Sequence, residues 1–90
     1  MTIPDKYQVF DSPVTLSDKD EQRLSGYLTG WNRLIEKLMA DVNRYDLQRL
    51  VVMELMGKQR RPIVAKLLVR LGKIEREKIE LRISKCWKNK

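Results

Sequence analysis

The chain has 90 residues, with 19 Lys/Arg against 12 Asp/Glu, a formal net charge of +7, and 42% apolar beside 34% charged residues. That length supports one small core and no second independent domain, and the apolar content separates the chain from a disordered one. It has no histidine and one cysteine, Cys86, which excludes an intrachain disulfide, a zinc site of standard composition within one chain, and the commonest general base.

Residues 1–16 contain Pro4, Pro13 and the turn-prone Asp11-Ser12 without helical periodicity. They predict an extended N-terminal arm, mobile or docked on a partner, although Tyr7 and Val9, like Val14 and Leu16, alternate as strand residues do. Residues 1–10 also lack a basic segment followed by an apolar run, and the longest uninterrupted apolar stretch, residues 50–53, is far below the ~20 residues that span a bilayer. A soluble cytoplasmic protein with no membrane partner is therefore expected, in keeping with the lone cysteine.

Ser17 followed by Asp20 and Glu21 reads as a helix start, the hydroxyl accepting an orphan N–H and the carboxylates lying at the positive end of the helix dipole. Leu24, Leu28, Trp31, Ile35, Leu38 and Val42 follow at spacings of four and three, the stripe of a helix over residues 18–43. Tyr27, Leu34 and Met39 widen that stripe, and Trp31 reads as a core residue. The segment Asn43-Arg44-Tyr45-Asp46 interrupts the pattern, with Asp46 expected to cap a second helix over 47–56. That helix is apolar nearly all round and suits a short central position. Gly57 is its expected stop, because glycine reaches the left-handed conformation without steric cost.

Pro62 fits the first turn of a third helix over 62–84, where its missing N–H does no harm. Ile63, Val64, Leu67, Leu68, Leu71 and Ile74 form its apolar face, and Lys66, Arg70 and Lys73 point the other way. Past Ile74 the pattern changes: Lys78 falls on the apolar stripe, while Ile79, Leu81 and Ile83 alternate as a strand would. The absence of Gly or Pro over 76–87 and the i,i+4 pairs Lys73-Glu77 and Arg76-Glu80 favour helix. A stripe that rotates in this way should meet the first helix, the arm or a second copy of the chain. The expected architecture is all-α: a three-helix domain over residues 17–90, long, short central and long, with a helix-turn-helix-like outline behind an arm of residues 1–16.

Catalytic chemistry finds little support. Cys86 has Lys85 and Lys88 nearby but no activating base. Glu75, Glu77 and Glu80 alternate with Lys73, Arg76, Lys78 and Arg82 as on a solvated, salt-bridged face. Gly57-Lys58 falls short of a phosphate loop, because Val52 stands where its first glycine belongs and Gln59 where Ser or Thr would bind magnesium. Neither enzyme activity, nor a cofactor, nor a metal site is expected.

Charge distribution carries the functional reading. Residues 1–45 hold six Lys/Arg against seven Asp/Glu, whereas residues 46–90 hold thirteen against five. The excess concentrates at Lys58, Arg60 and Arg61 before the third helix and continues through Lys66, Arg70 and Lys73, an electrostatic footprint for nucleic acid. Arg60 and Arg61 would add formal charge to the anion-attracting start of that helix. A second basic face lies on the first helix opposite its stripe, with Lys19, Arg23, Arg33, Lys37 and Arg44 beside Gly26 and Gly30, where a strand could approach the backbone closely.

The expected function is nucleic-acid binding, DNA or RNA, mainly through phosphate-backbone contacts, in a homodimer or larger nucleoprotein assembly. The alternative is a protein-interaction module, an inhibitor or assembly subunit docking an acidic partner protein through its basic face.

Overall fold

Ser17 begins the first helix, as its spacing to Asp20 predicts. In the computed structural model, which describes residues 3–31, 37 and 41–84, the Asp20 N–H donates to Ser17 Oγ at 3.1 Å and the Ser17 N–H to Asp20 Oδ2 at 3.3 Å. This reciprocal pair satisfies two donors at the helix start. The helix, α1 (Asp18–Thr29), is far shorter than the expected 18–43: Gly30 caps it, and Trp31 is already outside it. Ser25 Oγ and Thr29 Oγ1 donate back to the carbonyls of Gln22 and Ser25. Such back-bonding, with two poor helix formers at Gly26 and Gly30, weakens the last turns. Of the predicted stripe, Leu24 and Leu28 are buried and Val42 packs against the core edge. Leu34, Ile35, Leu38 and Met39 lie outside the described residues, as do Cys86 and Trp87.

The second helix, α2 (Arg44–Met56), starts earlier than predicted because Asn43, not Asp46, is its cap. Asn43 Oδ1 accepts the Asp46 N–H at 2.9 Å, which leaves the Asp46 carboxylate free to bind elsewhere. As its composition implies, α2 is the central helix, with Leu50, Val51, Val52 and Leu55 all fully buried. It packs most extensively on the helix that follows.

Gly57 ends α2, but for a different reason from the one expected. Its φ is −101°; what favours glycine is space, since a Cβ there would lie 3.2 Å from the Met53 carbonyl oxygen, a tight contact. The left-handed residue of the turn is Gln59, at φ 56°. Its N–H donates to the Glu54 carbonyl at 2.9 Å and its side-chain amide to the Leu55 carbonyl at 3.0 Å, bonds that offset the strain of a non-glycine residue there.

The expected long third helix is two helices, α3 (Arg61–Leu71) and α4 (Lys73–Ile83). Gly72 divides them at φ 103°, ψ 155°, a region essentially restricted to glycine. This break accounts for the rotated stripe: α3 buries Ile63, Val64, Leu67, Leu68 and Leu71, whereas α4 restarts in a new direction and buries Ile79 and Ile83. Ile74, expected on the buried face, is exposed. The fold is thus all-helical, with four α-helices and no strand among the described residues, and the α2–turn–α3 unit keeps a helix-turn-helix-like outline.

The element that meets α4 is the N-terminal arm. Rather than standing free, the arm buries Ile3, Val9, Phe10, Val14 and Leu16 in the common core and contains a short 3₁₀ turn at Asp5–Tyr7. Gln8 folds the arm on itself, its amide donating to the Val14 carbonyl and accepting the Val14 N–H, both at 3.0 Å. Arg82 of α4 then ties it down, donating to the Val9 carbonyl at 2.9 Å and pairing with Asp11 at 2.7 Å. Arg49 of α2 donates to the Thr15 carbonyl at 3.0 Å. Among the described residues no helix is long and apolar enough to cross a membrane.

Candidate nucleic-acid interface

The alternation that buries one side of α3 sends Arg61, Ala65, Lys66, Val69 and Arg70 to its exposed side. No acidic residue occurs anywhere in residues 55–74, so this face carries positive charge without a local carboxylate in sequence. Lys58 is exposed in the turn before α3. Lys73 is exposed too, but it lies beyond the Gly72 break as the first residue of α4. It lines a cleft of about 560 Å³ with Phe10, Arg44, Ile74 and Glu75. The predicted run Lys66, Arg70, Lys73 is therefore not one continuous helical stripe.

Arg60 is placed differently from its neighbours. Its guanidinium turns inward onto Glu54, a carboxylate only 2% exposed, with Nε to Oε2 at 3.0 Å and an NH2 to Oε1 contact of 2.9 Å. The same terminal nitrogen donates to the Leu28 carbonyl at 2.8 Å, joining the turn to the end of α1. The Arg60 backbone N–H also donates to Glu54 Oε2, at 2.9 Å. The start of α3 does attract an anion, as a helix N-terminus should, but that anion is the chain's own Glu54. Hydrogen bonding to this carboxylate raises the Arg60 pKa above its ordinary value. Glu54 was the overlooked signal: one acid inside the otherwise apolar segment of residues 50–56, six residues before an arginine.

The second basic face is likewise largely committed internally. Arg23 donates to Asp46 at 2.8 and 3.0 Å and to Asp20 at 3.0 Å, while Arg49 reaches Asp46 at 2.9 Å. Two carboxylates and two guanidinium groups thereby lock the start of α1 to the start of α2. Arg44 pairs with Glu75. Lys19 and Lys37 are exposed, and Arg33 lies outside the described residues. Of this set, Arg23 and Arg44 are thus engaged by carboxylates of the same chain.

The hydrogen bond from Arg23, above all, holds the buried Asp46 carboxyl below its ordinary value of 3.8, and Arg49 acts in the same direction. A carboxyl whose folded-state pKa is depressed contributes stability above its unfolded value and loses it as pH falls through the folded one. The urea midpoint is therefore expected to decline as pH drops below about 4. In Asp46→Asn the midpoint should start lower at neutral pH and decline less steeply.

Comparisons with protein families, curated proteins and solved structures found no match to this chain.

Among the described residues, no heavy atom lies within 4 Å of where a Cβ would stand at Gly26 or Gly30, and no contact among them requires glycine at Gly26, which sits inside α1. Gly26→Ala is expected to stabilise the protein by about 0.5–1 kcal/mol, read as a raised urea midpoint. Lower nucleic-acid affinity in that variant would assign the α1 face a role in close approach; unchanged affinity would leave binding to α3.

Sequence reasoning placed Trp31 in the core. The structure puts it at the core edge, half-buried, where it lines a cleft of about 420 Å³ with Lys66, Val69 and Arg70 among the described residues. Gly30 immediately before it, a helix-stop residue, was the local sign that α1 ends there.

Proposed function

We propose that the chain binds nucleic acid through the exposed side of α3 and the turn before it, mainly at the phosphate backbone, within a dimer or larger nucleoprotein assembly. The observation that carries this reading is the density of exposed basic side chains on one side of one helix. Arg61, Lys66 and Arg70 stand on the exposed side of α3, whose own sequence holds no acid, with Lys58 exposed in the turn before it and Lys73 exposed just after it. Phosphates supply the matching charge, and the side chains available favour backbone affinity over base-edge reading. A cytoplasmic, non-catalytic protein is part of the same reading.

Fluorescence anisotropy with DNA and RNA at two salt concentrations tests it. Affinity should fall steeply with salt, and Lys66→Ala should reduce the logarithmic salt slope by about one unit. Absence of binding to either nucleic acid at low salt would overturn the proposal.

A protein partner is the second reading, favoured by Ile74 and Leu81. They are 75% and 76% exposed and lie seven residues apart on one side of α4, an apolar stripe for which a phosphate backbone has no use. Under this reading an acidic partner docked on the basic face would stay bound after nuclease treatment, whereas one bridged by nucleic acid would be lost.

A further inference from the structure

The cleft beside Trp31 combines three chemistries that seldom meet on a purely solvated surface. Trp31 leaves α1 just after the Gly30 cap, so its indole packs against the core at one edge and borders the α3 face at the other. Val69 is a large apolar residue 58% exposed in the middle of a cationic face. Lys66 and Arg70 flank it, one helical turn apart, about 6 Å along the axis. A volume of about 420 Å³ falls within the range of small-ligand sites.

A ligand for such a cleft needs a flat apolar face for the indole, further apolar surface for valine, and negative charge at its rim. A nucleobase with its adjoining phosphates meets all three requirements. A duplex meets them poorly, because its base faces are stacked on one another and only their edges are open. An unpaired nucleotide offers the face directly, and stacking on aromatic side chains is the general means by which single strands are held.

Building on the nucleic-acid reading above, we propose that the cleft between Trp31 and α3 holds an unpaired nucleobase of a single-stranded segment. The indole stacks on the base, Val69 forms an apolar wall, and Lys66 and Arg70 bind the flanking phosphates. A tryptophan in such contact also reports it, through its emission.

The full chain carrying Trp87→Phe leaves Trp31 as the sole indole. Titrating it with oligothymidylate, oligouridylate and a duplex of equal length separates the alternatives. Single strands, whether DNA or RNA, should quench Trp31 emission more than the duplex does, and Trp31→Leu should weaken single-strand binding about tenfold or more. Because Trp31→Leu can also disturb the core edge, Val69→Glu is the companion variant: it places a carboxylate in the cleft from an exposed position and should weaken single-strand binding while leaving the urea midpoint nearly unchanged. Binding without preferential quenching, or single-strand affinity unaffected in Val69→Glu, overturns the stacking site while leaving phosphate binding by α3 intact. Failure of all three probes to bind at low salt removes the underlying nucleic-acid reading instead.

Discussion

Arg60→Ala is expected to cost about 3–5 kcal/mol of folding stability, the range for removing one partner of a buried ion pair. Glu54, only 2% exposed, would lose both hydrogen bonds from the guanidinium and keep the one from the backbone N–H of residue 60, and the Leu28 carbonyl would lose a donor as well. A small domain has only about 5–15 kcal/mol in total, so the urea midpoint should fall severely and part of the population should unfold near physiological temperature. Arg60→Lys should recover little, since a single ammonium cannot reproduce the planar fork that serves both carboxylate oxygens. The double variant Glu54→Met with Arg60→Met should be more stable than either single variant, because it removes both charges together and replaces them with apolar volume. Equal stability of Arg60→Ala and the unaltered protein would mean that the pair contributes nothing. The double variant also isolates binding from folding: if it is folded and still binds nucleic acid, the arginine acts through the fold of the turn rather than on phosphate.

Gly72→Ala should be destabilising by about 1–3 kcal/mol, because a Cβ is disfavoured at φ 103°, ψ 155°. Open space around the residue does not help, since the strain is in the backbone and not in a neighbour. The chain has one escape, which is to run α3 and α4 together as a continuous helix. That would redirect α4, taking Ile79 and Ile83 out of the core and Arg82 away from Val9 and Asp11. Either outcome lowers the urea midpoint. Gly26→Ala should move it in the opposite direction, so the same chemical substitution at two uncrowded glycines is expected to have opposite signs. A midpoint that rises in both variants would show that the break at Gly72 is not needed.

These predictions separate what was locally encoded from what was not. The Ser17 capping box, the apolar central helix and the start of α3 at Arg61 follow from contacts spanning three or four residues, which is the range over which residue types and spacing act. The sidedness of α3 was equally legible, because a 3.6-residue period separates a buried stripe from a charged one within a single helix.

Helix length was less legible. A glycine within a helical pattern is ordinarily tolerated at roughly 1 kcal/mol, and nothing local distinguishes Gly72, where the chain turns, from Gly26, where it continues. What decides is the destination of the following segment: α4 must turn back so that Ile79 and Ile83 enter the core beside the arm. The arm itself is an example of the same limit, since Ile3, Val9, Phe10, Val14 and Leu16 become a closing strap only once α2 and α4 supply Arg49 and Arg82 to hold its carbonyls.

By itself, the sequence determined an all-helical chain with a basic second half and an outward cationic face on α3. Only the tertiary structure decided which cations face solvent. Composition counts Arg60 and Lys58 alike, yet one is folded onto Glu54 while the other is exposed, because charge pairing depends on distances that the turn creates. The placement of Trp31 beside Lys66 and Arg70 has the same origin: residues more than thirty positions apart become neighbours through packing, which no helical period within either segment could disclose.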